Sequence, residues 1–279
     1  MGSVGHWRDL DAREREREYS PSSLVGEIGP LLAEYRLRSD AVASAGEQLR
    51  YGPAGEARTV LFRAADPTAP LHVFYHGGYW QELSVDDSLF AAPGFAAREI
   101  AFAAVGYELA PGQTLAEIVS ACRQALVQLL RAPGVSPARI TVSGSSAGAH
   151  LAAMAALAPW PGVRPPIDAA VLVSGIYELE PLIGTSINDA LGLDRASARR
   201  ASPLLIVPPA RPTTLVCVAE HETAEFKRQS SRYAEMLRTH DVPVEEIQVA
   251  GRNHFDVILE LATPGTLLGD RSLDLSADG

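Results

Sequence analysis

Gly144-Ser145-Ser146-Ala147-Gly148 is the stretch of this 279-residue chain with the clearest chemical use. A serine hydroxyl becomes a nucleophile when a sharp turn exposes it and an adjacent base takes its proton. The pattern Gly-x-Ser-x-Gly supplies the turn, because the residues two before and two after the central serine must lack side chains where the backbone doubles back. Ser146 is central to the pattern; Ser143 and Ser145 are not. The flanks give the required context: Arg139–Ser143 reads as a strand and the Ala-rich run 147–157 as a helix. The N-terminus of that helix then lies beside the hydroxyl and favours developing negative charge.

Such a serine needs a base, an acid and oxyanion donors. On a strand–elbow–helix scaffold the chain order is nucleophile, acid, base. The base therefore belongs near the C-terminus, and His254 in Gly251-Arg-Asn-His-Phe255 follows the last expected strand. His221 and His240 are its competitors, while His150, one turn into the helix after Ser146, reads as a packing or capping residue. The acid is expected beyond a strand at Thr214–Val218, where Ala219-Glu220-His221-Glu222 offers two carboxylates. Glu222, farther out on the turn, is preferred and Glu220 is the alternative; either can orient an imidazole and stabilise its cation. The oxyanion donors are assigned to the amides of Ala147, Gly78 and Tyr79, the last two in the loop His76-Gly77-Gly78-Tyr79-Trp80. His76 reads as a brace for that loop. Tyr79 and Trp80 are placed either to bind an aromatic substrate or to pack beneath the loop.

The elements that must position these groups alternate. Strands are expected at Leu71–Tyr75, Ala101–Val105, Arg139–Ser143, Ala169–Val173, Thr214–Val218 and Glu246–Val249. Helices fall at Leu115–Leu130, Ala147–Leu157 and Ala224–Thr239, the first with apolar residues at helical spacing. This alternation predicts an α/β fold, a mostly parallel sheet with helices on both faces. Gln48–Tyr51 and Thr59–Ala64 read as a strand pair at an antiparallel edge, and residues 10–38 as a helical extension outside the repeat. Residues 178–204 interrupt the alternation with Gly, Asn, Asp and Pro among short apolar pieces; they are either a lid-like insertion or a surface excursion, and the lid is favoured. The chain 1–279 is expected to be one domain, since no low-complexity linker or charge block divides it.

Composition narrows the function classes. A formal net charge of −10 disfavours a nucleic-acid role. Cys122 and Cys217 sit in apolar runs, read as small core residues, and make no disulfide framework. The polar N-terminus and the lack of a long apolar run point to a cytoplasmic protein. The seven histidines are scattered without ligand spacing, so no metal and no cofactor are expected. The expected partner is a small-molecule substrate, with no nucleic acid and no membrane; a homodimer is left open as the assembly state.

Taken together, five stretches resemble the kynurenine formamidases (arylformamidases) of the α/β-hydrolase superfamily. They are His76-Gly-Gly-Tyr-Trp-Gln81, Tyr107-Glu-Leu-Ala-Pro111, Gly144-Ser-Ser-Ala-Gly-Ala-His150, Glu225-Phe-Lys-Arg-Gln-Ser230 and Gly251-Arg-Asn-His-Phe255. The resemblance runs in order over roughly residues 19–260. The resemblance implies an α/β-hydrolase fold, Ser146, Glu222 and His254 as triad, and Gly78 and Tyr79 as oxyanion donors. It implies hydrolysis of an N-formyl arylamine such as N-formylkynurenine to formate and free amine. Two positions depart from the family pattern: Ser145 stands where His is usual, and Glu222 where Asp is common. The alternative is a carboxylesterase or lactonase for a small or specialised-metabolite ester. A non-catalytic binding protein of the same fold is disfavoured, because a binder need not keep all of these groups.

Overall fold

In a computed structural model, described here for residues 7–158, 160 and 167–277, eight strands form one sheet in the order β1-β2-β4-β3-β5-β6-β7-β8. Residues 1–6, 159, 161–166 and 278–279 lie outside the described residues. Strands β1 (Glu47–Arg50) and β2 (Arg58–Phe62) run antiparallel at one edge, and β2 also pairs antiparallel with β4. The remaining strands are parallel: β3 (Leu71–Tyr75), β4 (Ala101–Val105), β5 (Ile140–Ser145), β6 (Ala169–Val173), β7 (Thr213–His221) and β8 (Val244–Asn253).

The central strands are fully buried because both sheet faces are covered. In β3, Leu71, Val73 and Tyr75 point into one apolar cluster and Phe74 into the other, the period-two alternation of a strand. The first cluster takes its helical side from α4 (Leu115–Leu129), α5 (Ala147–Ala156) and α8 (Ala224–Thr239). The second takes it from α2 (Gly29–Asp40), α3 (Ala92–Ala96) and α9 (Leu267–Ala277). Helix α4 starts at a capping box, Thr114 with Glu117, and buries Leu115, Ile118, Val119, Cys122, Leu126 and Leu129 along one stripe. Truncating such a leucine, Leu126→Ala for example, costs about 2–5 kcal/mol in transfer and cavity terms. Burial pushes the thiols of Cys122 and Cys217 well above their ordinary range.

His72, on β3, faces α9 and is fully buried; its Nδ1 lies 2.8 Å from Ser276 Oγ and its Nε2 2.6 Å from Ser143 Oγ. Burial lowers its pKa to about 3, so the ring is neutral and ties the last helix to the sheet.

The two segments outside the alternation are ordered differently from the sequence expectation. The expected helical stretch 10–38 is two helices, α1 (Ala12–Glu18) and α2, joined by a tight turn at Pro21–Leu24. Residues 178–204 are not irregular: they hold the short helices α6 (Ile187–Leu191) and α7 (Arg195–Arg200), and bury Leu179, Leu182, Leu191 and Ala198. Among the described residues no helix is long and apolar enough to cross a membrane.

Candidate active site

All the residues singled out for chemistry sit beyond the C-terminal ends of parallel strands, where this sheet type places its ligands. Strand β3 runs into His76-Gly77-Gly78, β5 into Ser146, β7 into Glu222 and β8 into His254. Ser146 stands between β5 and α5 with φ 56° and ψ −119°, a strained conformation for a side-chain-bearing residue. Its amide donates to Val173 O at 2.8 Å, which fixes the turn to β6. The two elbow glycines are required by contact: a Cβ on Gly144 would lie 2.2 Å from Gly148 C, and one on Gly148 would lie 2.0 Å from Tyr75 O. Helix α5 therefore crosses directly over β3, with its ten residues buried.

Strand β7 runs on through Glu220 to His221, and Glu222, just beyond its end, is the carboxylate that reaches His254. Both of its oxygens lie 3.0 Å from His254 Nδ1, and the two side chains are 0% and 5% exposed. Glu220 is exposed and instead accepts the Gly251 amide at 2.6 Å, tying it to the end of β8 just before the histidine. Phe226 and Phe255 pack edge-on against the imidazole at 4.7 and 5.2 Å between ring centroids. With Nδ1 facing the carboxylate, Nε2 is left to face the substrate space.

The loop after β3 is held from below. Tyr107 stacks on His76 at 4.1 Å, and its hydroxyl donates to His76 O at 2.8 Å. Burial lowers the His76 pKa to about 4, so this ring is a neutral brace. Gly78 has φ +90°, and a Cβ there would lie 2.2 Å from Glu82 O. Among the described residues the amides of Gly78, Tyr79 and Ala147 donate to no protein acceptor.

Ser146, His254, Gly78 and Tyr79 open on one cavity of about 320 Å³. Its apolar wall includes Leu32, Tyr35, Phe74, Phe90, Phe255 and Ile258. Tyr35, Phe74 and Phe90 form a ring cluster, with centroid distances of 5.7 Å for Tyr35–Phe90 and 5.9 Å for Phe74–Phe90. Tyr35, Phe74 and Phe90 carry no motif and come from α2, β3 and the segment before α3; only Phe255, on the turn after β8, belongs to a recognised stretch. The N-terminal segment adds Ser20, Pro21, Ser22 and Ile28, and the 178–204 insertion adds Ser186 and Ile187.

Tyr79 lines the cavity, whereas Trp80 does not: it is fully enclosed in the core, edge-on to His150 at 5.0 Å. Trp80 is thus under the loop rather than in position to meet a substrate. His150 packs there too, with Nε2 2.8 Å from Ala201 O. Among the described residues no group of three His, Cys, Asp or Glu side chains is placed to hold a metal ion.

Comparison with known proteins gives the fold and the family. A family profile of the α/β-hydrolase fold matches residues 72–257. The kynurenine formamidase of Danio rerio is 31% identical over 283 residues, covering 95% of this chain and 96% of the fish protein. That of Salmo salar is 31% identical over 277 residues, covering 92% and 94%. Among solved structures, a Silicibacter sp. TM1040 protein described as a thioesterase has a TM-score of 0.80 at 25% identity, covering 91% of this chain and 96% of its own. A Pyrobaculum calidifontis esterase has a TM-score of 0.71 at 20% identity, covering 90% and 92%, a likeness of fold.

Proposed function

The chain belongs to the α/β-hydrolase fold family and, within it, to the kynurenine formamidases, and from that membership we propose that it cleaves the N-formyl amide of an arylamine, N-formylkynurenine being the type substrate. It is a hydrolase of the formamide or ester type. The observation that carries the finer reading is His254, bonded to the buried Glu222, opening with Ser146 on a cavity walled by aromatic side chains.

In this reading Ser146 Oγ attacks the formyl carbon while His254 Nε2 takes the hydroxyl proton. Glu222, with both oxygens at Nδ1, keeps the imidazole in the tautomer that accepts at Nε2 and stabilises the imidazolium that forms. The carbonyl oxygen becomes an oxyanion held by the amides of Gly78, Tyr79 and Ala147, beside the N-terminus of α5. An arylamine leaves poorly as an anion, so the His254 cation returns the proton to its nitrogen as the C–N bond breaks. A formyl ester remains on Ser146. Water, deprotonated by His254, attacks it and releases formate, and the proton returns to Ser146.

A formyl group presents only hydrogen on the acyl side, so recognition falls on the leaving group. Tyr35, Phe74, Phe90 and Tyr79 suit a flat arylamine. The test is steady-state kinetics with formate quantified. A kcat/KM for N-formylkynurenine at or above that for p-nitrophenyl acetate is expected. A value far below it would overturn the formamidase reading and leave the esterase.

A further inference from the structure

The stretch Glu225–Ser230 contributes no wall to the cavity, yet Glu225, Gln229 and Ser230 are almost wholly buried. What it holds is the N-terminal segment. Tyr19 Oη donates to Glu225 Oε2 at 2.5 Å and accepts from Gln229 Nε2 at 3.0 Å. Burial first, and then the Glu225 charge, hold that phenol well above its ordinary pKa, so it remains a donor. Arg228 forks onto Glu225 with two bonds of 2.7 Å, which fixes the carboxylate that receives Tyr19. Gln229 Oε1 meanwhile accepts from the amides of Tyr177 and Glu178 at 2.6 and 2.8 Å.

The start of α8 is bonded in an unusual way. Thr223 is its N-cap residue, yet its hydroxyl makes no capping bond and donates instead to Glu18 O at 2.6 Å. The amide that a cap would serve, that of Glu225, donates to Glu18 Oε2 at 3.3 Å. A residue from α1, more than 200 positions upstream, thus caps this helix. On the other side Tyr79 Oη donates to Tyr19 O, so the same two residues join the oxyanion loop to the turn that carries Glu222. The next three residues, Ser20, Pro21 and Ser22, are cavity wall.

We propose that Glu18–Tyr19 is a clasp that sets the position of the Ser20–Ser22 wall, making Tyr19 and Thr223 specificity-determining positioning residues for the leaving group. The proposal rests on the reading that recognition falls on the leaving-group side. It assigns Glu225 and Gln229 a role in selecting substrate, while Phe226 of the same stretch packs on the imidazole of His254. Loss of both side-chain anchors frees the wall, while the Tyr79 hydroxyl keeps the Tyr19 carbonyl as acceptor, Tyr107 keeps its bond to His76 O, and Glu222 keeps its bond to His254.

The double variant Tyr19→Phe/Thr223→Val tests it, with Tyr19→Phe alone as the milder form should the double variant not fold. Two esters with the same acetyl group separate the roles: vinyl acetate, with a small leaving group, and 2-naphthyl acetate, with a flat aromatic one. The expected result is a KM for naphthyl acetate raised about tenfold, with kcat/KM for vinyl acetate within about twofold of the parent. N-formylkynurenine should follow naphthyl acetate. An equal fall on both esters, or no change on either, in protein with parental circular dichroism would overturn the clasp. Failure of the parent to cleave N-formylkynurenine at all would sink the formamidase reading while leaving the ester pair to decide the clasp.

Discussion

Replacing Glu222 by Gln tests the arrangement at its centre, because the change keeps size and removes one charge. Both Glu222 oxygens lie 3.0 Å from His254 Nδ1, and at an effective dielectric of ~20 that separation is worth about 5 kcal/mol to the imidazolium. The glutamate side chain is 0% exposed, so solvent screening takes little from this figure. The charged imidazole exists only after Ser146 has given up its proton, so the loss falls on the transition state. At ~1.4 kcal/mol per decade it corresponds to a fall of roughly 10⁴ in kcat, with KM little changed. The order matches the loss of the carboxylate in Ser-His-Asp proteases, about 10⁴. Glu220→Gln is the control, since that side chain is exposed and serves only the Gly251 amide. The assay is stopped-flow release of p-nitrophenol, with the unfolding midpoint recorded to show that each variant is folded. A Glu222→Gln enzyme within about tenfold of the parent, or a Glu220→Gln enzyme equally crippled, would refute the argument.

Ser146→Ala should abolish labelling by a fluorophosphonate, and mass spectrometry of the labelled parent should place the adduct on the peptide holding Ser146. Adduct formation that survives the substitution would remove this serine from its role. Gly78→Ala forces a Cβ to within 2.2 Å of Glu82 O at φ +90°, so the loop must shift and its amides with it. A fall of roughly 10²–10³ in kcat is expected, measured per site competent to react with the fluorophosphonate; parental kcat would exclude Gly78 and Tyr79 as donors. Stability should fall in acid for a reason unrelated to catalysis. His72, His76 and His150 are buried with pKa values lowered from 6.5 to about 3, 4 and 4, chiefly by desolvation. Between those values and about 6.5 the unfolded chain binds more protons than the native one, so stability is complete above that window and is lost as pH falls through it. At pH 5 each contributes a loss of about 2 kcal/mol, so the thermal midpoint should drop steeply from pH 7 to 5; a flat profile would mean that these rings are hydrated.

Much of the scaffold was legible because its signals are local. β3, β4, β6 and α8 have the bounds read from sequence, since each is an apolar or amphipathic run stopped by turn residues. The elbow and the loop after β3 were legible for a related reason: their glycines answer to contacts within a few residues or with one neighbouring strand. Where burial is partial the signal weakens. β8, at the sheet edge, was read as Glu246–Val249 but runs Val244–Asn253, because most of it is exposed or half-exposed and no apolar run marks its length. α9 carries only a weak apolar signal, since its buried stripe mixes Leu268 and Leu273 with Gly269, Ser272 and Ser276, and Ser276 meets a buried histidine 204 positions away. The two candidate acids are two residues apart, and what separates them is that β7 runs to His221 rather than stopping at Val218, which leaves Glu220 in the strand beside β8 and brings Glu222 to the imidazole.

The cavity wall was the least legible part, and the physics of the fold explains why. A catalytic group must be of one chemical type and sit on a rigid strand end, so its residue and spacing are constrained and leave a motif. A wall needs only shape, which many side chains supply, so Tyr35, Phe74, Phe90 and Phe255 could each be read as ordinary core. Tyr79 and Trp80 illustrate the point within one dipeptide. Both have positive φ, 50° and 61°, and that coiled backbone turns one ring toward the cavity and encloses the other. The segment before β1 lay outside the α/β repeat for the same reason that it matters. Its bonds run from Glu18 and Tyr19 to Thr223, Glu225 and Gln229, partners 205 to 210 positions away. In sequence Glu225–Ser230 carried a family resemblance without a chemical reason. In the fold its glutamate and glutamine have one: they hold a tyrosine whose following residues close the site.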